Sequence, residues 1–103
     1  MAYDIVLSPQ AVEDLRSLRA HLRAAVRQAL ETHLRHAPTR TSRSRIKRLR
    51  GLARPQYRLR VEELRVYYDV RQNAVEVLAI ISKAQAAAWL AHEATQDETG
   101  AAL

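Results

Sequence analysis

The residues able to do chemistry in this chain are basic and regularly spaced. Arg58, Arg60 and Arg65 fall within YRLRVEELRVYY, Tyr57 to Tyr68. Tyr57, Leu59 and Val61 alternate with Arg58 and Arg60; after Glu62-Glu63, Leu64, Val66 and Tyr68 alternate with Arg65 and Tyr67. Period-2 alternation about a polar pair predicts a tight β-hairpin. With Glu62 and Glu63 as a two-residue turn, Val61 faces Leu64, Arg60 faces Arg65 and Arg58 faces Tyr67. One face is then apolar or aromatic, and the other carries three arginines and a tyrosine. Like charges directly opposed across a sheet are destabilising. A polyanion would supply the missing negative charge; the other reading is a solvated basic face partly compensated by Glu62 and Glu63. A guanidinium binds phosphate bidentately but stays protonated, so it stabilises charge and is a poor base.

The hairpin ends a longer basic run. From Arg40 to Arg60 lie Arg40, Arg43, Arg45, Lys47, Arg48, Arg50, Arg54, Arg58 and Arg60, nine of the seventeen lysines and arginines, with no acidic residue between them. Formal net charge is +6. Such clustering is the electrostatic footprint of a surface for a phosphate backbone or an acidic protein partner. The chain has no cysteine, which excludes disulfides, thiolate metal sites and thiol nucleophiles. Its two glycines, Gly51 and Gly100, exclude a phosphate-binding glycine loop. At 103 residues one domain is expected, over 1–93, with 94–103 as a flexible tail. No run approaches the roughly 18 apolar residues of a membrane-spanning helix. The start, MAYDIVLSPQ, lacks the pattern of a signal peptide, so a cytoplasmic location and no membrane partner are expected.

The elements that must position the arginines follow from the rest of the pattern. Tyr3 to Leu7 predicts a short strand. Ser8-Pro9 is an N-cap followed by a proline suited to the first helical turn. A helix from Pro9 to Leu18 follows, then an amphipathic helix from Ala20 to His36 whose Leu22, Val26, Leu30 and Leu34 recur every four residues. An αα-hairpin and one bent helix both fit. Pro38 ends the helical part. Thr39 to Ser44 is a basic connector, and Ile46 and Leu49 tuck a short segment onto the body. After the hairpin, Arg71-Gln72-Asn73 predicts a turn with Asn73 left-handed. Ala74 to Ser82 reads as a central strand. Ser82 to Gln85 is a capping box opening a helix from Lys83 to about His92. The expected fold class is α+β. An antiparallel sheet, made of the N-terminal strand and a three-strand meander, carries two N-terminal helices on one face, with a short C-terminal helix.

These features resemble the RelE/ParE superfamily of toxins from bacterial type II toxin–antitoxin modules. The resemblance covers most of the chain and rests on SPQAVEDLRSL after the first strand, the helix ending before Pro38, KRLRG, YRLRVEELRVYYDV and VEVLAIIS. It implies a RelE-like fold and a toxin neutralised by a cognate antitoxin in a hetero-oligomer. The RelE branch cleaves messenger RNA, commonly on the ribosome, and needs no metal or other cofactor. The ParE branch inhibits DNA gyrase without nuclease activity. The RelE branch is favoured by the short helical part and by the basic loop before the hairpin. A non-catalytic RNA- or ribosome-binding module is a third reading.

Carried over by position, the resemblance implies Arg58, Arg60 and Arg65 as catalytic residues; Lys83, after the last strand, is added to them as a candidate cation. It implies Lys47, Arg48 and Arg50 as RNA-binding residues, joined by Arg43 and Arg45 of the same basic run and by Tyr67 on the arginine face. RNA cleavage by internal attack needs a base for the 2′-hydroxyl, cations for the pentavalent phosphate and an acid for the leaving 5′-oxygen. The chain departs from the RelE pattern after its last strand. Ser82-Lys83-Ala84 and Trp89-Leu90-Ala91-His92 stand where an arginine and a C-terminal tyrosine or histidine are usual. Lys83 is a candidate stand-in cation, Trp89 a candidate for stacking on a base and His92 for moving a proton, and none of the three matches the family pattern cleanly. Tyr57, Tyr68 and Trp89 are expected in the core. His33 and His36 have metal-compatible spacing but no further ligands. Asp69 and Glu76 oppose each other across strands, which marks an exposed position.

Overall fold

The computed structural model describes residues 2–102, with side chains described as far as Ala94. The chain starts with strand β1 (Asp4–Leu7). Ser8 caps helix α1 (Pro9–Ser17), its Oγ accepting from the Ala11 amide, and Pro9 occupies the first turn. Leu18 and Arg19 are extended, so a true break separates α1 from α2 (Ala20–Ala29) and the two helices are not one bent rod. A π-helical turn, Leu30–Leu34, continues α2. Strands β2 (Ile46–Arg48), β3 (Tyr57–Val61), β4 (Leu64–Arg71) and β5 (Ala74–Ser82) follow, then helix α3 (Lys83–Ala102). The backbone is thus helical into the expected tail, whose side chains from residue 95 lie outside the described residues.

The sheet has five strands in the order β1-β5-β4-β3-β2. Two expectations need correction. The sheet is mixed, because β1 runs parallel to β5 in the register Asp4↔Ala74 to Leu7↔Val77. A parallel β1 delivers α1 beside the half of β5 that β1 leaves uncovered. There Ser8 N and Oγ donate to the carbonyls of Val77 and Leu78, and the Ile80 amide donates to Asp14 Oδ2 at 2.9 Å. Helix α1 therefore satisfies the open edge that a longer antiparallel strand would have covered. The fifth strand, β2, has one apolar residue in three and is hidden within the basic run.

The predicted hairpin register is realised throughout: Tyr57↔Tyr68, Arg58↔Tyr67, Leu59↔Val66, Arg60↔Arg65 and Val61↔Leu64. Glu62 adopts the left-handed conformation at φ 53° in its two-residue turn. In the β4–β5 turn Gln72 does so at φ 46°, in place of the expected Asn73. A two-residue hairpin turn puts that demand on its first central residue. A bulge at Leu78 separates the pairs Tyr68↔Val77 and Tyr67↔Ala79.

Two hydrophobic clusters use opposite faces of the sheet. Under α1 and α2, Val26, Leu30 and Leu34 pack on Leu59, Val66, Tyr68, Val75, Val77 and Ile80. Tyr68 is fully buried there, stacked on Tyr57 at 5.4 Å, and its hydroxyl donates to the Pro38 carbonyl at 2.7 Å. On the other face α3 lays Ala86, Trp89 and Leu90 over Tyr67, Ala79 and Ile81. Among the described residues no helix is long and apolar enough to cross a membrane.

Candidate functional site

Cross-strand partners share a face of a sheet, so the register assembles the site. One row crosses the sheet as Lys47, Arg58, Tyr67 and Ala79, and the next as Arg60, Arg65 and Ile81. Helix α3 covers the β4–β5 end of both rows. The remaining part is cationic, with exposed Lys47 and Arg60, half-buried Arg58, and Arg65 only 7% exposed.

Among the described residues these cations have no carboxylate partner. Arg65 Nη1 donates to the Leu64 carbonyl at 3.0 Å and to the Glu62 carbonyl at 3.4 Å. Arg58 Nε is buried and makes no hydrogen bond. Burial first, and then Arg65, push the Arg58 guanidinium below its ordinary pKa; Tyr67 opposes this, and Arg60 adds to it. A partly buried arginine beside two others, with an unused donor, is poised to gain from an anion, because a buried unpaired donor carries a desolvation cost that a ligand can relieve.

Not every residue predicted for this site shares it. Arg48 pairs with Tyr57 on the face covered by α1 and α2, its guanidinium 5.0 Å from the ring centroid. Tyr67 lies on the cationic face but is 2% exposed, stacked under Trp89 at 5.0 Å, so α3 already occupies the ring face a base would need. Burial raises the pKa of its hydroxyl. Trp89 is half-buried, and its Nε1 donates to Gln10 Oε1 at 3.2 Å. Arg43 and Arg50 are exposed in the connectors either side of β2.

The hairpin tip draws the other predicted residues together. The Arg60 amide donates to the Arg45 carbonyl, and the Lys83 amide to the Glu63 carbonyl, each at 2.9 Å. A pocket of about 300 Å³ at the tip is lined by Ser44, Arg45, Arg60, Glu62 and Glu63. The two glutamates thus put carboxylates, which can accept a proton, beside the arginines. From the sequence Glu62 and Glu63 are expected as the turn and as partial charge compensation; their place next to Arg60 is also the signal for a proton acceptor at the tip.

At the opposite end of the same face the expectation for Asp69 and Glu76 is corrected. They do face each other, but Asp69 is 3% exposed. Arg54 bridges the pair, Nε to Asp69 Oδ2 and Nη2 to Glu76 Oε1, each at 3.2 Å, and the Gln56 amide donates to Asp69 Oδ1 at 2.7 Å. The peptide bond between Arg54 and Pro55 is cis. One basic residue of the run is thereby tied into the fold. No group of three or more histidine, aspartate or glutamate side chains able to hold a metal occurs among the described residues.

Solved structures share this architecture. The chain is similar to one in the RelBE2 toxin–antitoxin complex of Mycobacterium tuberculosis, at TM-score 0.69 and 23% identity over 80% of this chain and 99% of that one. It is similar to one in the archaeal RelE–RelB complex of Pyrococcus horikoshii OT3, at 0.66 and 22% over 80% and 96%. It is also similar to the YoeB dimer of Staphylococcus aureus, at 0.62 and 20% over 79% and 97%. At these identities the likeness establishes the fold. Among curated proteins nothing matches. The sequence from residue 5 to residue 87 matches the family model of the ParE toxin of the type II toxin–antitoxin system parDE, and the chain belongs to that toxin family.

Proposed function

We propose that this toxin is an endoribonuclease acting on messenger RNA, with the tip of the β3–β4 hairpin as its reaction centre and a cognate antitoxin as its neutralising partner. The observation that carries the reading is the two adjoining rows of cations, Lys47 with Arg58 and Arg60 with Arg65, which have no carboxylate partner among the described residues and leave Arg58 Nε without a hydrogen bond. Arg60 and Arg65 neutralise the pentavalent phosphate while Arg58 and Lys47 hold the flanking backbone. Glu62 or Glu63 takes the 2′-hydroxyl proton, and the resulting 2′-oxygen attacks the phosphorus as the bond to the 5′-oxygen breaks. Lys83, whose amide is fixed to the turn, donates the proton to the leaving 5′-oxygen. Arg43, Arg45 and Arg50 extend the RNA surface around β2, and the ribosome presents the transcript.

Induced expression tests this. Growth arrest relieved by the antitoxin, with new 5′ ends in primer extension, is expected; Arg60→Ala and Arg65→Ala abolish both. Arrested cells with intact transcripts would overturn the nuclease reading. A second reading has its own support, the match to the ParE toxin family model, and makes the same surface a non-catalytic inhibitor of DNA gyrase. It predicts loss of supercoiling by purified gyrase, no RNA cleavage, and no effect of Glu62→Gln with Glu63→Gln on arrest.

A further inference from the structure

A second basic concavity lies around the β2 edge from the cationic rows. It has a volume of about 440 Å³, and its walls include Thr32, His33, Arg40, Thr41, Ser44 and Arg45. That volume is within the range of small-ligand sites. No acidic residue lines it, and neither Arg40 nor Arg45 forms an ion pair with a carboxylate among the described residues. Thr32 and His33 in its wall belong to the π-helical turn Leu30–Leu34, an irregularity that recurs at functional sites. Ser42 also lines it and ties its loop, its Oγ accepting from the amides of Arg45 and Ile46 at 3.1 and 3.3 Å. Two guanidinium groups, an imidazole and several hydroxyls form a donor set suited to phosphate oxygens.

The concavity joins the hairpin-tip pocket through Ser44 and Arg45, which line both, and the Arg45 carbonyl accepts from the Arg60 amide. Two acidic residues adjoin it: Glu31, beside Thr32 in the π-helical turn and held by Arg35, and Glu62, which lines the hairpin-tip pocket and a further one that also holds His33 and Arg45. Neither lines the concavity itself.

We propose that this concavity is a second phosphate subsite, which receives the backbone of a single-stranded RNA as the strand leaves Arg60, turns past Arg45 and reaches Arg40 and His33. The inference rests on the reading of the cationic rows as an RNA surface, and adds a site that lengthens the RNA footprint. Burial and Arg45 together hold His33 below the ordinary histidine pKa. A bound phosphate opposes that effect, which makes the ring a reporter of occupancy.

The test uses the full chain and 5′-labelled oligouridylates with 2′-deoxy linkages to prevent cleavage. Fluorescence anisotropy is followed over a salt series for a tetramer and an octamer. The octamer should bind more tightly and with the steeper salt dependence. Arg40→Ala should weaken the octamer roughly tenfold, the effect of one charged hydrogen bond. It should also lower the slope of log affinity against log salt by about 0.7, one single-strand phosphate, and leave the tetramer unchanged. The His33 ring resonances should titrate at higher pH with the octamer and not with the tetramer. Arg40 is exposed, so the variant keeps the fold. If Arg60→Ala weakens both oligomers while Arg40→Ala changes neither affinity nor slope, the subsite is refuted and the RNA surface stands. If neither oligomer binds the wild-type chain, the RNA surface itself fails. If Arg40→Ala weakens the antitoxin complex and leaves the octamer unaffected, the concavity is a protein contact and the inference is overturned.

Discussion

Replacing Arg60 with threonine should make the protein more stable and less toxic. Arg60 is exposed and faces Arg65, which is nearly buried, and its charge adds to the forces that depress the Arg58 pKa. Its guanidinium forms no ion pair with a carboxylate among the described residues. A like-charged pair directly opposed across strands costs about 0.2–1 kcal/mol. Threonine removes that cost and is a good strand former. At about 4–8 °C per kcal/mol for a chain of this size, the melting temperature should rise by roughly 1–8 °C. The gain is electrostatic, so it should shrink with screening, as the Debye length falls from about 10 Å at 0.1 M salt to about 3 Å at 1 M. Thermal melts followed by circular dichroism at both salt concentrations check this, and Arg60→Lys, which keeps the charge, should melt with the wild type. The same Arg60→Thr protein should no longer arrest growth. A threonine variant that is less stable, or whose gain is the same at both salt concentrations, would show that the opposed arginines are not in conflict and would remove the reason to assign them a polyanion.

Three further outcomes follow from the contacts. Tyr68→Phe should lower stability by about 1–3 kcal/mol in urea titrations, because it strands the buried Pro38 carbonyl. Ser8→Ala should cost about 1–2 kcal/mol by the same measurement, through loss of the α1 cap and of the bond to Leu78. Burial raises the Asp69 pKa, against the pull of the Gln56 amide and Arg54. A carboxyl that binds its proton more tightly when folded contributes most stability below the ordinary aspartate value of 3.8, and that contribution declines as pH rises through it towards the folded value. Arg54→Ala raises the folded value further, so its destabilisation should be larger at pH 7 than at pH 4 in paired urea titrations; an equal loss at both would mean that Arg54 acts by packing alone.

The sequence was most informative where chemistry and periodicity coincide. Alternation in Tyr57 to Tyr68 determines both the hairpin register and the faces, because a one-residue slip of β3 would put Arg58 and Arg60 into the core, and one of β4 would put Arg65 there. The caps at Ser8 and Ser82 are local chemistry and were legible for that reason. Strand direction was not legible in β1: four mostly apolar residues say nothing about parallel or antiparallel pairing, and the deciding contacts, from Ser8 and Asp14 to β5, are 70 and 66 residues away. Strand β2 was hidden because its purpose is to edge the sheet with charge. The basic run looked uniform, yet it serves several ends. Arg54 bridges buried Asp69 and Glu76, Arg48 lies over Tyr57, and Lys47 and Arg58 share the cationic face. Composition counts charges; only tertiary pairing shows which are already spent within the fold.

The parallel partnership of β1 with β5 also fixes when the toxin can exist. In order of synthesis β1 is the first strand made and β5 the last, and the bond from Ser8 to Leu78 closes a separation of 70 residues. Closing such a loop costs roughly 4 kcal/mol of chain entropy. The β3–β4–β5 meander, joined by two-residue turns, can pair before that closure. Helix α1, which caps the open edge of β5, must wait for residue 80 to emerge before Asp14 finds its amide. A nascent chain therefore stays without its complete sheet until β5 has left the ribosome, and the toxin's fold closes from its two most distant strands last.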